Sequence, residues 1–359
     1  MSLAWFPSAQ SRLGLSNNRM KKQQQKQATW LALKKRESER AAIRARHLAA
    51  NPEEREPLDS QDRTLLDYYS IAVGCENRNM NRYADVMPYD RTRVVVGAQR
   101  YLNASWCVEQ FGGHSWIASQ APLPNTAHTF LSFIRGPVTV PGSASSTRIR
   151  TVVQLTRLVE GGRTKAHPYF PGVVGQSIVH DGYPGPPLEV TLVEKANIVE
   201  ASCVRSVVSL SIQGDRQNDI RFQHLLYTAW PDQGVPELEE ERTLLSFVRL
   251  VDSTNRQKEA ASDDPDPPIL VGCSAGIGRT GTFIAISSLL RKHGFLPPPA
   301  SPSSLSLTSP LGELPATFDV VGREVDSLRE QRPAMVQQFS QLELIYTLLD
   351  SALASEQRL

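Results

Sequence analysis

The sequence predicts a single α/β (α+β) domain with a central twisted, mixed β-sheet flanked by helices. Three observations carry this expectation. Short apolar, β-branched runs separated by turn residues crowd residues 93–228. Helix-favouring composition precedes that stretch, and apolar residues at helical spacing follow it. An apolar strand at 269–271 leads through a Gly-rich turn into a long apolar helix, the order expected where helices cover a sheet.

Taken in order, residues 1–24 are polar and basic and are expected to lack order, whereas 25–50 are rich in Ala, Leu, Gln, Lys and Arg and favour helix. A further helix is predicted at 59–73. Strands follow at 93–96, 101–107, 115–120, 149–155, 188–194, 204–212 and 221–228. Helices are predicted at 237–252, 280–293, 317–331 and 337–354. Surface-loop insertions are expected near 136–148, 255–268 and 296–315. The last is rich in Pro and Ser and contains Ser301-Pro302 and Ser309-Pro310, candidates for proline-directed phosphorylation. The chain thus divides into a basic N-terminal arm, 1–50, and a catalytic domain, 51–359.

Composition narrows the function classes. No apolar run approaches the roughly 18–20 residues of a membrane-spanning helix, and no secretory signal opens the chain. The four cysteines, Cys75, Cys107, Cys203 and Cys273, form no C-x-x-C pair, so reduced thiols and a cytoplasmic or nuclear location are expected, with no structural zinc. Residues 1–50 hold 11 of the 39 Lys and Arg but 2 of the 37 Asp and Glu, so the rest of the chain is net acidic. Three readings of the arm stay open: a solvated helix packed on the domain, a contact with an acidic partner or membrane surface, and a mitochondrial presequence. No nucleic-acid partner is expected for the chain.

The chemistry is concentrated in Ile269-Leu-Val-Gly-Cys-Ser-Ala-Gly-Ile-Gly-Arg-Thr-Gly281. Gly276-x-Gly278-x-x-Gly281 matches a dinucleotide fingerprint, but no strand-end acid follows about 20 residues on, as a ribose hydroxyl requires. The better reading uses Cys273 and Arg279, six residues apart. A loop of that length curls so that the amides of Ser274, Ala275, Gly276, Ile277, Gly278 and Arg279 face a tetrahedral anion. The positive end of the following helix faces the same anion. Arg279 grips two phosphate oxygens, with the Cys273 sulfur beneath the phosphorus. Such surroundings favour a thiolate, and Thr280 is placed to donate a hydrogen bond to it. None of the other cysteines has Arg at the sixth position.

With these residues the chain resembles the cysteine-based, tyrosine-specific protein phosphatases of the non-receptor type, whose signature is H-C-x-x-G-x-G-R-[S/T]-G. The resemblance extends over about 76–349 and implies a phosphotyrosine phosphatase-like fold. It implies hydrolysis of phosphotyrosine on proteins through a cysteinyl-phosphate, without metal or organic cofactor. Trp230-Pro-Asp-Gln-Gly-Val-Pro236 is similar to the family's mobile loop, in which Asp232 serves as general acid and then general base, with Trp230 as hinge. Gln337-Gln-Phe-Ser-Gln341 resembles the segment that positions the hydrolytic water, with both amides expected on one helix face. Asn81-Arg-Tyr-Ala-Asp-Val86 resembles the phosphotyrosine-recognition loop: Tyr83 stacks on the substrate ring and Asp85 accepts from its peptide backbone. Glu160-Gly-Gly-Arg-Thr-Lys165 resembles the loop whose glutamate, here Glu160, orients Arg279, with Lys165 supporting.

The pattern breaks once near the nucleophile, where Gly272 stands in place of the family's His. That change is expected to raise the thiol's pKa and slow turnover. Two rivals are a catalytically impaired phosphotyrosine-binding protein and a phosphatase for lipid substrates. Retention of Cys273, Arg279, Asp232 and Gln337 disfavours the first; Tyr83, which deepens the pocket, disfavours the second.

Overall fold

In the computed structural model the described residues are 9–49, 60–182, 184–231, 234–258, 260, 263–302 and 309–356. Helices α1 (Ala9–Ala49), α2 (Ser60–Tyr68) and α3 (Ala72–Glu76) precede the first strands, β1 (Arg93–Val96), β2 (Arg100–Val108) and β3 (Ser115–Gln120). Helix α4 (Ala127–Arg135) follows, then β4 (Val138–Thr139), β5 (Ser146–Thr147), β6 (Thr151–Gln154), β7 (Val159–Glu160) and β8 (Arg163–Thr164). The chain continues through β9 (Ser177–His180), β10 (Leu188–Ile198), β11 (Cys203–Ile212), β12 (Asp215–Tyr227) and α5 (Leu238–Asn255). It closes with β13 (Ile269–Cys273), α6 (Gly278–Lys292), α7 (Val320–Gln331) and α8 (Phe339–Glu356).

Nine strands form one sheet in the order β1-β2-β3-β13-β6-β12-β11-β10-β9, with two small hairpins, β4-β5 and β7-β8, beside it. The four central strands run parallel and the flanks antiparallel, which makes the sheet mixed. Strand β13 lies in the middle with every residue buried. Alternation sends Ile269, Val271 and Cys273 to the face covered by α5–α8, and Leu270 to the face covered by α4. Cys273 therefore ends a central parallel strand at its carboxyl edge, where open α/β sheets bind ligands.

Several expectations need correction. Helix α1 begins at Ala9, so residues 9–24 are helical rather than without order. Its buried positions, Thr29, Leu33, Arg36, Arg40, Ile43 and His47, recur every three or four residues, one stripe of a helix. That stripe carries charge, so hydrophobic patterning alone does not reveal it. The helix expected at 59–73 is split into α2 and α3, because the Asp90 carboxylate accepts the amides of Ala72 (3.0 Å) and Val73 (3.1 Å) and starts a new turn. Helix α4 lies within sequence read as strand. Its Phe130, Leu131 and Ile134 pack under the sheet, and tertiary burial overrides their strand propensity. Within the expected 255–268 insertion, the Asp266 side chain is almost fully buried, 2.9 Å from Arg256 and 3.4 Å from His114. Arg150 also reaches the carbonyls of Asn255 (3.0 Å) and Asp264 (2.7 Å).

Candidate active site

The loop from Cys273 to Arg279 is shaped by what holds its carbonyls. The Ser274 carbonyl accepts the Ala121 amide at 3.1 Å, and that of Ile277 accepts Gly281 (3.0 Å) and Val336 (3.1 Å). Arg332 takes the remaining two, Gly276 at 2.8 Å and Ala275 at 3.1 Å. Four successive carbonyls are thus anchored outward, which turns the intervening amides toward one centre. Gly276 has φ +72°, and a Cβ there would lie 2.2 Å from the Ser119 carbonyl oxygen, so no larger residue fits. Helix α6 starts at Gly278, two residues earlier than expected, which brings its positive end to the loop.

Arg332 is fully buried, and it also donates to Asn103 Oδ1 (2.7 Å) and Ser105 Oγ (3.2 Å). Burial pulls its guanidinium below the ordinary arginine value. The resemblance covers the Arg332 segment, but its grip on the loop is legible only in three dimensions. The same holds for the left-handed backbone of Ala334 (φ +58°) and Val336 (φ +57°), strained for such residues and placed just before Gln337. Arg329 clamps this segment, donating to the carbonyls of Met335 and Val336 at 2.8 Å each.

Arg279 donates from Nη1 to Glu160 Oε1 and from Nη2 to Glu160 Oε2, both at 2.8 Å, and further to the carbonyls of Leu155 (2.9 Å) and Pro231 (2.7 Å). Burial pushes the Glu160 carboxyl up, but bonds from Arg279 and the Arg157 amide outweigh it and hold it below its usual value. Glu160 in turn fixes the plane of the guanidinium. Ser274 Oγ donates to the Lys165 carbonyl at 2.7 Å, so the Tyr83 hydroxyl donates to Ser274 Oγ at 2.8 Å.

These elements enclose an open cavity of about 610 Å³. Its wall includes Tyr83, Asp85, Glu160, Lys165, Cys273, Ser274, Ala275, Gly278, Arg279, Gln337 and Gln341. Cys273 is 6% exposed at its floor. Tyr83 stands at the mouth, in a loop braced by Asn81, which accepts from Tyr101 (2.6 Å) and Asn103 (2.8 Å). Gln120, absent from the expected site, accepts the Arg82 amide at 2.8 Å and ties the same loop to β3.

Other residues fall differently from expectation. Gln337 precedes α8 and does not share a helix face with Gln341. Gln341 Oε1 instead accepts the amides of Gln337 (2.9 Å) and Gln338 (3.2 Å), capping the turn before the helix. Thr280 is fully buried, and no partner for its hydroxyl is found among the described residues. Trp230 is buried against Tyr227 and donates to the Gly234 carbonyl at 3.3 Å. Asp232 lies outside the described residues; its neighbour Pro231 is the residue whose carbonyl Arg279 holds.

A thiol at the floor of the cavity, below a loop whose carbonyls are anchored away from it and beside an oriented guanidinium, makes a candidate cysteine-centred site on a mixed α/β sheet. The profile of the protein-tyrosine phosphatase family matches residues 77–351, and the chain belongs to that family. It is 33% identical over 278 residues to the receptor-type tyrosine-protein phosphatase eta of Mus musculus, covering 76% of this chain and 18% of that protein. It is 34% identical over 273 residues to the receptor-type tyrosine-protein phosphatase H of Homo sapiens, covering 74% and 20%. The tyrosine-protein phosphatase non-receptor type 14 of Homo sapiens matches at 28% over 291 residues, covering 78% and 21%. The chain thus spans about a fifth of the length of these relatives, which are of both receptor and non-receptor type.

Proposed function

We propose that this chain is a protein tyrosine phosphatase acting through Cys273. The observation that carries the reading is the outward anchoring of four loop carbonyls around a buried thiol. The inward amides and Arg279 bind the three non-bridging oxygens of a phosphoryl group and stabilise the charge that builds on them. The Cys273 sulfur attacks phosphorus in line, the P–O bond to tyrosine breaks, and the phenolate takes a proton from Asp232. Water positioned by Gln337 then attacks the cysteinyl-phosphate, giving its proton to Asp232, and the thiolate leaves. Tyr83 at the mouth favours the long phosphotyrosyl group over phosphoserine, and Asp85 accepts from the substrate backbone. Lipid substrates and phosphotyrosine binding without turnover are the competing outcomes.

Phosphate release from phosphotyrosyl, phosphoseryl and inositol-lipid substrates, with Cys273→Ser as control, tests all of these. Turnover of the first alone, lost in the control, is the expected result; equal rates on the lipid, or none on any, overturns it. In the same assay Asp232→Ala is expected to lower kcat by roughly 10²–10⁴-fold for a leaving group that needs a proton, and far less for an acidic phenol. The reading extends to a signalling role in a reducing, cytoplasmic setting, which the four free thiols support. Imaging of the tagged full chain checks the location.

A further inference from the structure

Ser309, in the Ser309-Pro310 pair, sits within a buried charge cluster. Its Oγ donates to Glu330 Oε1 at 2.7 Å and accepts from Arg36 Nη2 at 3.1 Å and from the Leu311 amide at 3.2 Å. Arg36 also grips both oxygens of Asp326 (3.2 and 3.1 Å), and Arg40 bridges Asp326 and Glu330 at 2.6 Å each. Glu37 lies 3.6 Å from Arg40 and 3.1 Å from Arg44. Three guanidinium groups, all on α1, thus balance Glu37 of the same helix and Asp326 and Glu330 of α7. Ser309 joins α1 to α7 at the centre of that balance.

We infer that Ser309 is a phosphorylation site for a proline-directed kinase, and that its modification releases α1 from α7. Pro310 is exposed, Ser309 is half-buried, and no helix or strand occupies 309–319, so the pair has only side-chain and turn contacts to give up on entering a kinase cleft. In the transfer the hydroxyl oxygen attacks the γ-phosphorus of ATP. The bond to ADP breaks, and the hydroxyl proton passes to the kinase's base. The product has lost one of the donors to Glu330, which keeps those of Arg40 and the Tyr69 hydroxyl, and carries a charge of about −2. Asp326 and Glu330 then face a dianion with the same three cations to share, and burial keeps water from screening the repulsion. The least costly relief is separation of the loop and α1 from α7.

The test treats the full chain with a purified Ser/Thr-Pro-directed kinase and ATP. Mass spectrometry locates the phosphate, and amide hydrogen exchange is compared across 29–47 before and after. The expected result is phosphate on Ser309 and exchange at least about ten-fold faster in that stretch. Ser309→Ala should show no kinase-dependent change, and unmodified Arg36→Ala should already exchange faster. Ser309 left unmodified, or modified with exchange unchanged or slowed, overturns the inference. None of these readouts depends on phosphatase activity.

Discussion

Arg279 and Arg40 are both held by carboxylates, but their surroundings assign them different work. Arg279 meets Glu160 in two parallel bonds of 2.8 Å at the wall of an open cavity. Arg40 has no exposed side-chain surface and is shared between Asp326 and Glu330 across a helix–helix contact. Burial alone would pull the Arg40 guanidinium down, but Asp326, Glu330 and Glu37 outweigh it and hold it above the ordinary value. An ion pair beside solvent can present charge to a ligand without paying full desolvation. A sealed network cannot, and serves to fix the register of α1 on α7. The same pair chemistry therefore yields a reagent in one place and a bolt in the other.

Substitutions sharpen this contrast, beginning with the largest effect. Cys273→Ser should lower kcat on an aryl phosphate by about 10⁴-fold or more while leaving the melting temperature nearly unchanged. Arg279→Lys keeps the charge but loses the fork, and a fall of roughly 10²–10³-fold in kcat/KM is expected, again with little change in melting. Arg40→Ala should do the reverse. It strands Asp326 and Glu330 without their shared partner and is expected to cost about 3–5 kcal/mol in chemical denaturation. Its kcat at a temperature where it remains folded should stay near the parent's. A large loss of kcat in folded Arg40→Ala would erase the distinction between the two arginines.

Gly272 tests how closely the active-site half is packed. A Cβ there would stand 2.7 Å from the Ser119 carbonyl oxygen, so β3 and β13 must move apart to admit any side chain. Gly272→Ala is expected to cost about 1–3 kcal/mol by overpacking. Gly272→His introduces the residue of the signature that the motif resembles. Against the expectation that its absence slows turnover, the 2.7 Å approach to the Ser119 carbonyl predicts lower activity. Faster turnover with an unaltered melting temperature would show that the strands yield freely.

Stability also depends on pH, and two glutamates move oppositely. Burial pushes the carboxyl of Glu324 up to about 8, although Ser288 (2.6 Å) and the amides of Gln110 and Phe111 (3.3 Å each) donate to it. Its folded value exceeds the ordinary 4.5, so the folded state binds the extra proton, and the stability it contributes is full below about 4.5 and lost as pH rises toward about 8. Glu160 is shifted down, so its contribution is present above 4.5 and lost as pH falls through its folded value. Denaturation of Glu324→Gln between pH 4.5 and 8 should show a flatter decline than the parent. An unchanged slope would mean that Glu324 is ionised in the folded chain at neutral pH.

Much of the sheet and of the chemistry is legible in the residues themselves. Strand 115–120 is recovered to the residue, and the turn after 269–271 announces itself because a phosphate cradle needs Gly276 and Gly278 at fixed spacing from Cys273 and Arg279. These are local demands, written in neighbouring positions. The Glu160–Arg279 pair spans 119 residues, and it was reached through the resemblance rather than through any local pattern. Helix α4 stayed hidden because nine residues rich in Phe, Leu and Ile fit strand or helix equally until a sheet lies over them.

By itself, then, the sequence pointed to Cys273 as the proposed nucleophile and to its loop as the proposed cradle, and its motifs resemble the family that the profile match shows, since backbone geometry around an anion leaves few residue choices. Tertiary structure alone decided that Arg332 anchors two of the loop's carbonyls, that Gln341 caps the turn holding Gln337 and Gln338, and that Arg36 and Arg40 bolt α1 to α7. Each of these joins groups far apart in the chain, and a buried arginine reads in one dimension like a solvated one. Its partner carboxylates become known only once folding has removed the water between them.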